Sequence, residues 1–133
     1  MLSNINFLAA TAAALSAFLL GGIWYSPLLF GNTWVKESGL TLEKCQHGHK
    51  KGVFTIAIFL SFIAAFSFAF ALGPNPNLNH ALLTACVVGI GWIATSIGIN
   101  YAFAARSLKL FLIDSGYHFF QFIFYALILG LWH

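Results

Sequence analysis

The chain has 133 residues, of which 60% are hydrophobic and only 7% are charged, and its formal net charge is +3. Soluble domains contain about 25% charged residues. A chain of this composition cannot cover its surface with polar groups, so it must be surrounded largely by lipid. Its length excludes a large soluble catalytic domain but suits about four spans, since each span takes about 20 residues. The small positive charge indicates membrane topology rather than nucleic-acid binding.

Four apolar stretches alternate with short polar segments along the chain. The predicted spans cover about 5–25, 52–72, 79–105 and 109–132. Because the connections are short, neighbouring spans should run antiparallel. The sequence therefore predicts an all-α fold, a four-transmembrane-helix bundle that forms one integral membrane domain over residues 1–133.

Small residues recur at every fourth position in three of the spans, and such rows allow two helix backbones to approach closely. We call these rows seams. They consist of Ala13, Ala17 and Gly21 in the first span, Ala57, Ser61, Ala65 and Ala69 in the second, and Ala94, Gly98 and Ala102 in the third. Three seams exceed what one small bundle needs. We therefore expect a homo-oligomer, most simply a dimer.

Residues 31–51 form the only sizeable predicted loop, with Trp34 expected at the membrane interface. The loop contains Cys45, His47 and His49, three possible metal donors within five residues. A cluster in one loop lacks a fourth ligand, and the two lysines that follow would repel a cation. A solvated basic loop is therefore favoured over a metal site, and no cofactor is expected.

Trp92 lies deep in the third span, away from the interfaces where membrane tryptophans usually lie. We expect it to pack inside the protein with its N–H on a partner.

The positive charges are distributed unevenly. The segments 31–51 and 106–109 contain all six Lys and Arg residues, whereas both termini and the segment 73–79 contain none. The positive-inside rule then predicts that both basic segments face the cytoplasm and that both termini lie outside.

The fourth span carries a polar stripe. Asp114, Tyr117, His118, Gln121 and Tyr125 follow one another at helical spacing and share one face. Ionisable residues inside a membrane are expensive, so they are functional candidates. Polar groups of other spans should lie at the same cytoplasmic level. The predicted intramembrane site consists of Asp114, Tyr117, His118, Gln121, Asn100 and Arg106.

Two interpretations of this stripe stay open. In the structural one, Asp114 pairs with Arg106 or Lys109 and stabilises the hairpin between spans three and four, while His118 bonds Asn100 or a backbone carbonyl. In the functional one, a carboxylate one turn from an imidazole passes a proton or holds a cation.

Three sequence elements resemble a known family. The first is W-Y-S-P-x-x-F-G-x-x-W, the second N-Y-x-F-x-x-R and the third D-x-G-Y. They comprise Trp24, Tyr25, Ser26, Pro27, Phe30, Gly31 and Trp34; then Asn100, Tyr101, Phe103 and Arg106; then Asp114, Gly116 and Tyr117. In these elements the chain resembles the bacterial membrane proteins grouped as domain of unknown function 1761. The resemblance implies four spans and a location in the bacterial inner membrane, and it implies no reaction.

Transport of a small solute or of protons through the polar site is the first functional hypothesis. The alternative is an accessory subunit that docks a larger membrane complex or lipid through the WYSP region, formed by Trp24, Tyr25, Ser26, Pro27 and Trp34. An enzyme acting on lipid is least favoured, because the sequence offers acid–base groups but no evident nucleophile.

Overall fold

A computed structural model of the protein describes residues 4–39 and 52–132. Its helices are α1 (Phe7–Trp24), α2 (Gly31–Ser38), α3 (Gly52–Leu72), α4 (Leu78–Phe103) and α5 (Leu108–Leu131). The described residues contain no strand. All of these helices except the short α2 are long and apolar enough to cross a membrane. The predicted all-α bundle of four spans is confirmed.

Polar side chains define where three of the spans begin. Asn6, Asn77 and Ser107 each accept a hydrogen bond from the backbone N–H three residues further on, at 3.0, 2.8 and 3.2 Å. Such caps satisfy one of the free N–H groups at a helix start. The Asn6 amide also donates to the backbone oxygen of Trp132 at 3.3 Å. The described ends of the chain therefore lie at the same end of the bundle.

The two central helices are α1 and α5, which pack against each other. On the outside, α3 packs against α1 and α4 packs against α5. The α1 face that meets its neighbours consists of fully buried alanines: Ala9, Ala10, Ala13, Ala14 and Ala17. On α3, Ser61, Ala65 and Ala69 are buried as well. The seams of the first two spans are thus largely used inside one copy of the chain, and they no longer argue for a second copy.

The third span is not a uniform α-helix, because its middle section, Val87–Ala94, is π-helical. Within it, a Cβ added to Gly89 would lie 3.3 Å from Phe119 of α5. After it, a Cβ added to Gly98 would lie 3.1 Å from Phe111 of the same helix. Nine residues are about two and a half turns of a regular α-helix, which would place these glycines on opposite faces. The wider π turns bring both onto α5.

The same π segment explains why the prediction for Trp92 is wrong. In a regular helix Trp92 would share the face of the buried residues Ala85 and Gly89, seven and three positions earlier. The π turns rotate it away from α5, and 64% of its side chain is exposed.

The segment 31–51 also differs from the expected loop. Its first part is the helix α2, which ends at Gly39 in the left-handed conformation (φ 75°) that favours glycine. Cys45, His47 and His49 lie outside the described residues. Within residues 4–39 and 52–132, no three His, Cys, Asp or Glu side chains come together as a metal site would require.

The seam between α1 and α3 gives a test of this packing. Ala65→Leu should lower the free energy of unfolding by about 1–3 kcal/mol, because extra methyl groups in a filled contact force the helices apart. Ala71→Leu, on the exposed side of the same helix, is the matched control and should have little effect. Equilibrium unfolding in mixed micelles measures both. Equal stabilities of the two variants would contradict the packing.

Candidate functional site

A tight turn connects α1 to α2 and determines where the aromatic residues of the WYSP region lie. The Phe30 N–H donates to the Trp24 oxygen at 3.1 Å, and the Gly31 N–H donates to the Ser26 oxygen at 2.9 Å. A Cβ at Gly31 would lie 2.4 Å from the backbone oxygen of Tyr25, so only glycine fits at this position. The turn thereby holds α2 close to the end of α1.

The side chain of Asp114 is where this turn, α2, α4 and α5 meet. Asp114 is half-buried and lies about 9 Å along α5 from Leu108. Its Oδ1 accepts hydrogen bonds from the Tyr25 hydroxyl at 2.7 Å and from Trp34 Nε1 at 3.1 Å. Its Oδ2 accepts a hydrogen bond from the Tyr101 hydroxyl. We call these four residues the Asp114 cluster.

All three donors to Asp114 are neutral. A phenol hydroxyl is protonated at neutral pH, so Tyr25 remains a donor to Asp114. Arg106 instead donates to the Ser38 oxygen at 3.1 Å. The described ranges contain no ion pair between Asp114 and Arg106 or Lys109. The structure therefore places hydrogen bonds where the structural interpretation expected a salt bridge.

Two further contacts join α1 to α5 beside the cluster. Trp24 Nε1 donates to the Ile113 oxygen at 2.9 Å, and its ring lies so close to Gly116 that a Cβ there would be 3.0 Å away. The Tyr117 hydroxyl donates to the Ala17 oxygen, also at 2.9 Å. The indole N–H groups of the WYSP region thus bond inside the chain, and Trp34 does not simply rest on the interface.

The remaining polar residues of the stripe form a second, separate network. His118 Nδ1 lies 2.7 Å from Gln121 Oε1, Gln121 Nε2 donates to the Tyr125 hydroxyl at 2.8 Å, and that hydroxyl donates to the Ser61 oxygen of α3 at 3.3 Å. Tyr125 is completely buried. Neither His118 nor Gln121 hydrogen-bonds Asp114, and Asn100 is exposed and outside both networks.

Tyr101 belongs to the Asp114 cluster, whereas the sequence predicts its neighbour Asn100 as the site residue. Adjacent residues of a helix point about 100° apart, so only one of the two can face Asp114. A signal was present in the sequence. Tyr101 lies three positions after Gly98 and therefore shares the face of the third seam.

A groove of about 590 Å³ opens between α1 and α3 and ends at the Asp114 cluster. Phe18 of α1 and Phe54 of α3 face each other edge to face, with ring centroids 6.1 Å apart. The described residues that line the groove are Phe18, Gly21, Gly22, Tyr25, Trp34, Val53, Phe54, Ala57, Ser61, Asp114 and Tyr117. Among these residues Asp114 carries the only formal charge. The arrangement is an apolar groove with a carboxylate at one end.

Comparison with known proteins matches residues 8–130 to the family model described as protein of unknown function DUF1761. The chain belongs to the DUF1761 family. Neither a curated protein nor a solved structure matches it.

The structure explains why this DUF1761 protein carries the three sequence elements of the resemblance. The first element supplies the tight turn and the donors Tyr25 and Trp34, the second supplies Tyr101, and the third supplies Asp114 itself. Trp34 and Asp114, which are 80 residues apart along the chain, thus belong to one cluster.

The donors to Asp114 can be separated by mutation. Tyr25→Phe should lower the free energy of unfolding by about 1.5–3 kcal/mol, because a hydrogen bond to a charged group is lost. Tyr117→Phe is the matched control and should cost about 0.5–1.5 kcal/mol, since it loses only a bond to a backbone carbonyl. In a double-mutant cycle, Tyr25→Phe and Asp114→Asn should be coupled, whereas Tyr117→Phe and Asp114→Asn should be additive. Additivity in both cycles would refute the arrangement.

Proposed function

We propose that this DUF1761 protein is a small-solute transport protein and that the groove ending at Asp114 is its solute-binding site. One observation carries the proposal: a half-buried carboxylate, compensated only by neutral donors among the described residues, lies at the end of an apolar groove. A concave apolar site with a few convergent polar groups is the usual form of a small-molecule site. At about 590 Å³, the groove has room for a drug-sized molecule.

Solute transport is better supported than proton transport. A proton path would have to leave Asp114 through the rest of the stripe, and the second network contains the side-chain amide of Gln121. A neutral amide is a poor relay, because it must itself lose or gain a proton to pass one on. The described bonds from His118 to Ser61 therefore fit a contact that holds α5 to α3.

Fewer observations support the alternative, an accessory subunit or lipid-docking protein. Trp24, Tyr25 and Trp34 make their polar contacts inside the chain. Docking through the WYSP region would rely instead on Leu28 and Leu29, which are 86% and 49% exposed. Exposed leucines beside a membrane end fit contact with lipid, and they select no protein partner.

We further propose that the protein lies in the bacterial inner membrane with both termini outside. Arg106 contacts Ser38 at the end of the bundle opposite Asn6 and Trp132. Lys36, on α2, and Lys109, in the first turn of α5, are near that same end. The positive-inside rule assigns this end to the cytoplasm, so the groove would receive its solute from the cytoplasmic half of the membrane.

The proposal includes a homo-oligomer, now on a different basis from the seams. Trp92, Ser96 and Asn100 lie four residues apart on α4 and are all exposed. The Ser96 hydroxyl bonds back to its own helix, at the Trp92 oxygen. Polar side chains on a lipid-facing helix surface favour contact with another helix. A second copy of α4 would supply such a surface.

Filling the groove tests its role. Gly22 lines the groove, and a Cβ there would have no neighbour within 4 Å, so Gly22→Phe should fold normally while blocking the site. Calorimetric titration with amphipathic benzyl compounds of different charge should show at least about tenfold weaker binding to this variant, because the added ring occupies the groove. Gly91→Phe, which places the ring on α4, is the matched control. Unchanged binding in Gly22→Phe would place the site elsewhere.

The orientation is measurable in intact cells. In a background in which Cys45 and Cys86 are replaced by serine, Asn79→Cys should react with a membrane-impermeant maleimide, because it lies at the end that carries the termini. Ala104→Cys, at the basic end, should react only after the cells are opened. The reverse labelling pattern would invert the proposed topology.

The oligomer should depend on the exposed face of α4. Native mass spectrometry of the detergent-solubilised protein at micromolar concentration should detect a dimer that the double variant Trp92→Leu, Asn100→Leu weakens by about tenfold, since polar contacts between membrane helices contribute about 1–2 kcal/mol. The double variant Trp132→Leu, Asn79→Leu changes the same residue types away from this face and should leave the dimer intact. A monomeric wild type would exclude the oligomer.

A further inference from the structure

The groove combines one negative charge with several aromatic side chains at the same end. Tyr25 packs against Trp34 with ring centroids 5.6 Å apart and an interplanar angle of 74°. It also packs against Tyr117, with ring centroids 5.5 Å apart at 60°. Tyr25, Trp34, Tyr117 and Asp114 all line the groove. Rings set at steep angles to one another around a carboxylate resemble the aromatic cages that bind quaternary ammonium groups.

We infer that the groove takes a hydrophobic organic monocation whose charged group is a quaternary ammonium. This inference rests on the proposed function, because it names the class of solute for the same site. Its basis is the juxtaposition of an already hydrogen-bonded carboxylate with an aromatic cage at the end of an apolar groove.

The charge of the site selects cations. Among the described residues that line the groove, Asp114 is the only carboxylate, and none is Lys, Arg or His. From these residues an anion would meet a negative charge and no positive one. The longer part of the groove, with Phe18 and Phe54, is apolar and suits the hydrocarbon part of an amphipathic molecule.

The hydrogen bonds of Asp114 select the kind of cation. A carboxylate offers about four lone-pair sites, and Tyr25, Trp34 and Tyr101 occupy three of them. A primary ammonium needs acceptors for three N–H groups, which are costly to bury unbonded. A divalent metal ion needs several oxygen ligands. A quaternary ammonium needs neither, since charge and aromatic faces suffice to bind it.

The phenol hydroxyls add to this preference. Because Tyr25 donates its proton toward Asp114, its ring becomes more electron-rich and its face attracts a cation more strongly. The carboxylate thus acts on the ligand in two ways, through its own charge and through the aromatic ring that it polarises.

Titration of the full-length protein in phosphatidylglycerol nanodiscs tests the inference with three matched probes. They are benzyltrimethylammonium, its primary counterpart benzylammonium, and neopentylbenzene, in which carbon replaces the charged nitrogen. The quaternary probe should bind at least about tenfold tighter than either of the others. Asp114→Asn should reduce its affinity toward that of the neutral probe, because only the aromatic faces then favour the cation. Glu37→Gln, which removes the same charge from α2 outside the groove lining, should leave its affinity unchanged.

A second variant leaves Asp114 unchanged, so its result does not depend on whether Asp114→Asn folds. Tyr117 is a wall of the aromatic cage and donates to Ala17 rather than to Asp114, so Tyr117→Leu removes one aromatic face and leaves the three donors to the carboxylate in place. It should weaken the quaternary probe by roughly threefold, the loss expected for one aromatic face, and leave the neutral probe unchanged. Equal weakening of both probes would overturn the cation–aromatic contact.

The remaining outcomes separate this inference from the proposed function. Equal affinities of the charged and neutral probes, both lost in Gly22→Phe, would overturn the cation class and leave the solute site in place. Tightest binding of benzylammonium would overturn the quaternary preference. No binding of any probe would overturn the inference and the solute site together.

A quaternary ammonium could come from a lipid headgroup or from a free solute, and the nanodisc lipid distinguishes them. If choline lipids are the source, phosphatidylcholine nanodiscs should weaken the apparent affinity of benzyltrimethylammonium by competition. If a free solute is the source, that affinity should be the same in both lipids. Either result supports the quaternary class and identifies its source.

Discussion

A single carboxylate that must remain hydrogen-bonded near a membrane governs the arrangement of this protein. Asp114 cannot be left bare in a low-dielectric environment, and the described structure offers it no cation. The donors are instead two phenols and an indole, side chains with an apolar body and one polar tip. Such residues can reach the carboxylate and still face lipid or neighbouring helices. The turn after α1, the placement of α2 and the contact of α4 with α5 all follow from bringing those three tips to one point.

Small residues make that convergence possible. Fully buried alanines such as Ala13 let α1 lie between its neighbours, and glycines let the aromatic rings approach the opposing backbone. Trp24 reaches the Ile113 oxygen only because Gly116 leaves room for its ring. The close-packed contact of buried alanines and the groove at the basic end thus both involve α1.

Much of this was predictable from the sequence. Hydropathy gave four helices, and the spacing of Asp114, His118 and Gln121 gave one polar face. Spacing gives the direction of a side chain from its own helix axis but not what it meets. It could not divide the stripe into two networks, because that depends on which neighbouring helix supplies Tyr25 and which supplies Ser61. The turn that directs Trp34 to Asp114 depends on backbone contacts at Gly31, beyond the reach of periodicity.

The π-helical section of α4 lets this helix make two separate contacts with α5. It changes the direction in which the following side chains point, as one extra residue inserted into a uniform α-helix would. Gly89, near the start of this section, faces α5, and the half after the section presents Gly98 and Tyr101 to the same side. A helix of constant pitch could satisfy only one of these contacts. The number of residues in α4 therefore determines whether Tyr101 reaches Asp114.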